Sequence, residues 1–350
     1  MLTTSLATLL LVTSTTSAAY DPVSLAEEFA DWKLSRAGQL AKAQGLYRGS
    51  ADSELLRFYN TKMEIARLNA AHPNAHFSLD SPFTLLTTQE FVAFVKSNKP
   101  ATAAAPGATE APPTPSGTLP VTVDWTASNC VNGVQQQGQC GSCWAFATVM
   151  AVESAMCLAS PTKTLLKLSE QQLTSCDKAT GGPQFTLVLD NQGCQGGFPS
   201  KALEYVAAHG LCQRKDYPYV SGDSGQDEEC TASKCTAVVP KSLRVVAVPS
   251  GQAHLQAAVE RQPVIVGVAA GNNEWKQYKS GTLSSCSTED LDHAVVVVGY
   301  GVDAANNPIW RIQNSWGTAW GNHGFMQLHR GTTGNGTCGL ATEACFPSLQ

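Results

Sequence analysis

The 350 residues carry 23 basic and 28 acidic side chains, a formal net charge of −5, and are 43% hydrophobic and 15% charged. That is enough apolar material for two domains, or for one large domain with extensions. With no basic patch the chain is not expected to bind nucleic acid, and no stretch reaches the roughly 18 apolar residues of a membrane-spanning helix.

Residues 1–19 read as a signal peptide, with the apolar run Leu6–Val12 followed by the small residues Thr16-Ser17-Ala18-Ala19. The 12 cysteines fit the same oxidising route. Residues 20–99 are expected to be helical. Leu25, Phe29, Trp32 and Arg36 fall at helical spacing, and so do Leu55, Phe58, Ile65 and Leu68 within Ser53–Ala71. Residues 100–118 are rich in Pro, Ala and Thr, lack a hydrophobic period and read as an exposed linker.

Residues 119–350 change character part-way. Helices are expected after Cys143, over Leu168–Leu173 with Ser169 as N-cap, and over Ser200–His209 ended by Gly210. Asp177–Gly193 reads as a loop. Strands are expected over Ser242–Val248, Val264–Ala269, Ala294–Tyr300, Ile309–Asn314 and Gly324–His329. A helical first half and a strand-rich second half suggest two subdomains with a cleft between them.

The chemistry centres on Gln137-Gly138-Gln139-Cys140-Gly141-Ser142-Cys143-Trp144-Ala145-Phe146. A cysteine that opens a helix sits at the positive end of the helix dipole, which favours the nucleophilic thiolate. Cys140-Gly141-Ser142-Cys143 is also a Cys-x-x-Cys, the pattern of a thiol–disulfide redox motif. A third reading is an inactive relative that only binds.

The decapeptide, with Asp292-His293-Ala294-Val295 and Gln313-Asn314-Ser315-Trp316-Gly317, resembles the papain-like cysteine proteases of the cathepsin L type over residues 119–350. The resemblance implies an α+β fold of two subdomains, with a helical first half and an antiparallel, barrel-like second half. It implies an endopeptidase acting through Cys143, His293 and Asn314, with Gln137 and the Cys143 N–H holding the oxyanion and Trp316 shielding the His–Asn contact. Gly196 and Gly197 would bind substrate backbone. Phe198, Pro199, Gly267, Leu291, Ala294 and Glu343 would line the main specificity pocket, beside Asp292. Glu343, unless simply solvated, would admit Arg alongside bulky apolar side chains.

Residues 20–99 become an inhibitory propeptide in this reading, with Phe58, Ile65 and Asn69 on its helical motif. Thr61 stands where the family has asparagine and Leu85 where it has aspartate, departures that bear on acid-triggered release. The implied disulfides are Cys140–Cys194, Cys176–Cys230 and Cys286–Cys338, with Cys130–Cys157 and Cys212–Cys235 as further pairs and Cys345 left over. Asn335-Gly336-Thr337 is a glycosylation sequon. No cofactor or metal is expected. The expected partners are protein and peptide substrates, the chain's own propeptide and cystatin-type inhibitors. The expected state is a monomer in the secretory pathway, extracellular or in a lysosome or vacuole.

Overall fold

A computed structural model describes residues 22–47, 49–96, 119–178, 190–331 and 334–349. The expected signal peptide, the 100–118 linker and most of the Asp177–Gly193 loop lie outside those residues. The N-terminal region contributes α1 (Pro22–Leu34), α2 (Arg36–Ala43), α3 (Ala51–Ala71), β1 (Ala75–Phe77) and α4 (Thr88–Lys96). After 119 the first half contributes β2 (Val123–Asp124), α5 (Cys143–Ala159), α6 (Glu170–Cys176), α7 (Pro199–His209) and α8 (Ser221–Ser224). The second half holds β3 (Arg244–Val248), α9 (Gln252–Arg261), β4 (Val264–Val268), α10 (Asn273–Gln277), β5 (Tyr278–Leu283), β6 (His293–Val302), β7 (Pro308–Gln313), β8 (Phe325–His329) and β9 (Ala344–Ser348).

The strand path is open, in the order β1-β5-β8-β7-β6-β4-β9-β3, with β2 added to β6. The pairs are antiparallel except β5 with β8, which run parallel. The barrel-like curl implied by the resemblance is therefore not closed by a hydrogen-bonded seam among the described residues.

Strand β6 explains its own sequence. Ala294, Val296 and Val298 pack with helix α5, whereas Val295 and Val297 pack into the core on the opposite face of the sheet. A strand buried on both faces needs apolar residues at every position, not at alternate ones. A bulge between Val297 and Gly299 breaks the alternation, and Tyr300 joins Val295 and Val297 on the same core.

Among the described residues, the N-terminal region shares its core with the second half. Leu25, Phe29, Trp32, Phe58 and Leu68 belong to one continuous cluster with Phe83, Phe91, Trp275, Tyr278, Trp316 and Trp320. β1 extends the sheet by pairing Ala75 with Gly281 and Phe77 with Tyr278. Ser81 donates to the Lys276 carbonyl at 2.7 Å, and Lys279 pairs with Asp80 at 2.5 Å. The Leu25-to-Arg36 spacing is split into two helices because the Ser35 hydroxyl accepts from Gly38 N at 3.1 Å and starts α2 afresh.

Five disulfides occur among the described residues: Cys130–Cys157, Cys140–Cys194, Cys176–Cys230, Cys212–Cys235 and Cys286–Cys338. Cys143 and Cys345 take part in none of these disulfides, and both are buried.

At the two positions that depart from the family pattern, the contacts are rebuilt. The Thr61 hydroxyl donates to the Thr84 carbonyl at 2.8 Å, and Leu85 is fully buried. The charge is supplied by Glu90 instead, which pairs with Arg57. Glu90 also accepts from Thr87 N at 2.8 Å while its own N–H bonds the Thr87 hydroxyl at 3.2 Å, a capping box at the start of α4. The Arg57 hydrogen bond holds the Glu90 carboxyl down at about 2, against an ordinary 4.5. A lowered carboxyl contributes stability that is complete above its ordinary value and lost only as pH falls towards the folded one. Acidification to pH 5 is therefore expected to leave this clasp closed. Glu90→Gln should cost the full chain about 1 kcal/mol, the scale of a lost helix cap. It should also flatten the pH dependence of thermal stability between pH 4.5 and 2, which differential scanning calorimetry would measure.

Candidate active site

Cys143 is the first residue of α5, and the loop before it is pinned by the Cys140–Cys194 disulfide and by a Gly141 N–H bond to the Cys194 carbonyl. Cys143 is buried in one cluster with Ala294 of β6. Because Ala294 follows His293, this contact sets the start of β6 beside the start of α5. His293 Nε2 lies 2.8 Å from Asn314 Oδ1, and that oxygen also accepts from Ser315 N at 2.7 Å. The imidazole stacks on Trp316 at 4.6 Å, and Trp275 meets it edge-on at 6.2 Å.

The Gln137 amide is fixed at both ends. Nε2 donates to the Cys140 carbonyl at 3.0 Å, and Oε1 accepts from the Ser315 hydroxyl at 2.7 Å. Ser315 was not singled out from the sequence, although it lies inside the Asn314–Gly317 run. Asn191 was also missed and had no local signal. Its side chain accepts from Phe198 N and donates to Asp177 at 2.6 Å, bracing the Gly196–Phe198 edge. A side chain on Gly197 would meet Asn191 Oδ1 at 2.4 Å and the Trp144 ring at 2.7 Å, so the edge can lie this close only as glycine.

A second constellation forms where β4 ends. Gly267, Leu291 and Glu343 converge: a Cβ on Gly267 would lie 3.3 Å from Leu291 and 3.9 Å from the Glu343 Cβ. Gly267 N also bonds the Glu343 carbonyl at 3.0 Å. Glu343 is half-buried, and desolvation raises its carboxyl above the usual range. Phe198 is the N-cap of α7 and Pro199 its first residue. Ala294 is buried against α5. The Asp292 carboxylate accepts from Ala270 N at 2.7 Å and from Gly271 N at 3.1 Å. Asn335 is exposed and stands apart, across a groove of about 750 Å³ that Leu291 also borders.

The N-terminal region covers this centre. Phe83 and Phe91 meet Trp316 edge-on at 5.2 and 5.7 Å, and Phe94 lies 6.3 Å away. Cys143 and His293 are both at 0% exposure. Burial pushes the Cys143 thiol up to about 12 and the His293 imidazole down to about 4. In the covered state both groups are therefore neutral across ordinary pH.

The papain family cysteine protease sequence profile matches residues 119–348. The chain belongs to the papain family of cysteine proteases. Cysteine endopeptidase RepA of Oryza sativa subsp. japonica is 38% identical over 232 residues, 65% of this chain and 57% of that protein. The chain thus spans less than two thirds of the length of that papain-family relative. Senescence-specific cysteine protease SAG39 of the same subspecies is 33% identical over 317 residues, 88% of each chain. Among solved structures, the proform of the ragweed pollen cysteine protease Amb a 11 superposes with a TM-score of 0.74 at 28% identity, covering 94% of this chain and 96% of that one. Digestive procathepsin L 3 of Tenebrio molitor gives 0.73 at 30% identity, covering 93% and 99%.

Neutral, buried partners make a testable statement. With residues 22–96 in place, Cys143 should resist iodoacetamide at pH 6 for hours, and removal of the region should make it reactive within minutes. Mass-spectrometric mapping of the label reads both, and equal labelling with and without the region would refute the covering.

Proposed function

We propose that the chain is the precursor of a cysteine endopeptidase, in which residues 1–19 are a signal peptide, residues 20–99 inhibit, the 100–118 linker is cut, and residues 119–350 hydrolyse peptide bonds. The observation that carries the reading is the 2.8 Å His293–Asn314 contact, set beside a cysteine at a helix start and capped by Trp316. Once the covering region leaves, water and the helix dipole favour charge separation. The Cys143 thiol falls, the His293 imidazole rises, and the two hold each other as thiolate and imidazolium.

The thiolate attacks the scissile carbonyl carbon. The developing oxyanion is met by the Cys143 N–H and the Gln137 amide. His293, oriented by Asn314, gives its proton to the leaving amine, then takes one from the water that opens the thioester. Gly196 and Gly197 hold the substrate as an extended strand. The pocket of Phe198, Pro199, Gly267, Leu291 and Ala294 takes a bulky apolar side chain just N-terminal to the residue at the cut, and Glu343 at its floor admits arginine. Cystatin-type inhibitors would fill the same cleft. Asn335 carries a glycan in a secretory-route monomer destined for the extracellular space or a vacuole. The redox alternative is not favoured, because Cys140 is joined to Cys194 and not to Cys143.

Cys143→Ala should abolish peptidase activity in the processed protein. Gln137→Ala should lower kcat by about 10²-fold, the scale of one lost oxyanion donor. Glu343→Ala should lower kcat/KM for arginine substrates about tenfold relative to phenylalanine ones, and an unchanged ratio in a fluorogenic peptide series would remove Glu343 from specificity.

A further inference from the structure

The Gly196–Phe198 edge is held at two points. The Gly196 carbonyl accepts from Gln192 N at 2.9 Å, and Phe198 N donates to the Asn191 side-chain oxygen at 2.5 Å. Between them, among the described residues, no backbone hydrogen bond uses the Gly197 N–H or C=O. A donor and an acceptor side by side on a fixed edge are what an added strand needs.

Asn191 can brace this edge in only one of its two amide orientations. An asparagine amide carries an acceptor at one end and donors at the other. With Oδ1 toward Phe198 N the contact is a hydrogen bond. Turned over, Nδ2 would face a second N–H and the bond would be lost. The orientation is set from the far side, where Asn191 Nδ2 donates to Asp177 Oδ2 at 2.6 Å. An ionised carboxylate only accepts, so it selects the Nδ2 end of the amide and directs Oδ1 to Phe198.

Asp177 is itself fixed. It is the C-cap of α6, its N–H bonds the Leu173 carbonyl at 3.0 Å, and it directly follows Cys176, which is joined to Cys230. Lys178 forms an antiparallel bridge with Gln192 and pairs with Asp227 at 3.0 Å, while Asp227 accepts from Cys194 N at 2.7 Å. The chain leaving α6 and the chain leading to Gly196 are thus tied side by side. The titratable groups around Asp177 are Asp190, Glu204, Lys201 and Tyr205. Burial raises the Asp177 carboxyl to about 7, so the carboxylate prevails at pH 8.

We propose that Asp177 is a positioning residue for the substrate backbone: its carboxylate orients the Asn191 amide, which holds Phe198 N and keeps the Gly197 N–H and C=O presented to the substrate strand. This rests on the reading of Gly196 and Gly197 as the substrate-binding edge.

In the processed enzyme prepared from the full chain, at pH 8, each variant is measured with two substrates. One is a tetrapeptide amide that lies along Gly197, and the other is a single-residue ester too short to reach it. Asp177→Ala should raise KM for the tetrapeptide about tenfold, the scale of one hydrogen bond, with kcat within about twofold. For the ester, kcat/KM should stay within about twofold of the wild type. Asp177→Asn keeps an acceptor oxygen and should stay within about threefold on both substrates. Asn191→Asp sets two carboxylates face to face and should raise the tetrapeptide KM as Asp177→Ala does. Combining it with Asp177→Asn exchanges donor and acceptor and should restore the wild-type value, a rescue that a residue needed only for folding would not give. An unchanged tetrapeptide KM in Asp177→Ala, equal losses on both substrates, or an exchanged pair no better than Asn191→Asp overturns the proposal. Should Asp177→Ala not fold, Asn191→Asp and the exchanged pair decide. In the wild type, the tetrapeptide is also N-methylated at the residue that fills the specificity pocket. A raised KM supports the edge, so that wild-type behaviour of Asp177→Ala then counts against Asp177 alone; an unchanged KM sinks the edge reading and this proposal with it.

Discussion

The site depends on the packing of α5 against β6. Neither half of the molecule holds the chemistry alone: Cys143 opens the buried helix of one, and His293 opens the doubly buried strand of the other. The alternate residues Ala294, Val296 and Val298 that pack with α5 fix where the strand begins relative to the helix. Protein interiors are close-packed, so this contact has little freedom to slide. The burial of Cys143 and Ala294 in one cluster then follows from the packing.

Trp316 gives the second constraint. The same indole covers the His293 ring and receives Phe83, Phe91 and Phe94 from the N-terminal region. Inhibition in the proposed precursor therefore uses the surface that catalysis needs dry. Among the described residues, the apolar side chains of the N-terminal region share one core with the aromatic residues of the second half. Its charges follow the same economy of contact, with Glu90 and Arg57 providing the clasp that Leu85 cannot.

Much of this was legible from residues alone, and the omissions have physical causes. The run Ala294–Val298 announced a strand because burial on both faces removes polar positions. Ser169 marked the start of α6 because its hydroxyl caps it, accepting from Gln172 N at 3.0 Å. β9 was missed because Pro347 interrupts the pattern, and β5 because Tyr278–Leu283 carries polar residues that are paired by β1 and β8. Three of the five disulfide pairs are those that the family resemblance implies; Cys130–Cys157 and Cys212–Cys235 were expected outside it, and periodicity and composition leave all the partners open. Cys143, His293, Asn314 and Gln137 stood out by motif. Ser315 and Asn191 did not, since each acts through a tertiary hydrogen bond that no local pattern encodes.

The addition of β1 to the edge of β5 has a kinetic meaning. The hydrogen bonds of Ala75 and Phe77 with that edge, and the aromatic contacts on Trp316, lie outside the 100–118 linker. Cutting the linker therefore breaks none of them. It alters only the effective concentration of the inhibitory piece, from the millimolar range set by a short tether to whatever the compartment holds. In the proposed precursor a severed N-terminal region would remain a ligand of the enzyme it left, and dilution or further digestion of that fragment, more than the cut itself, would set when the cleft opens.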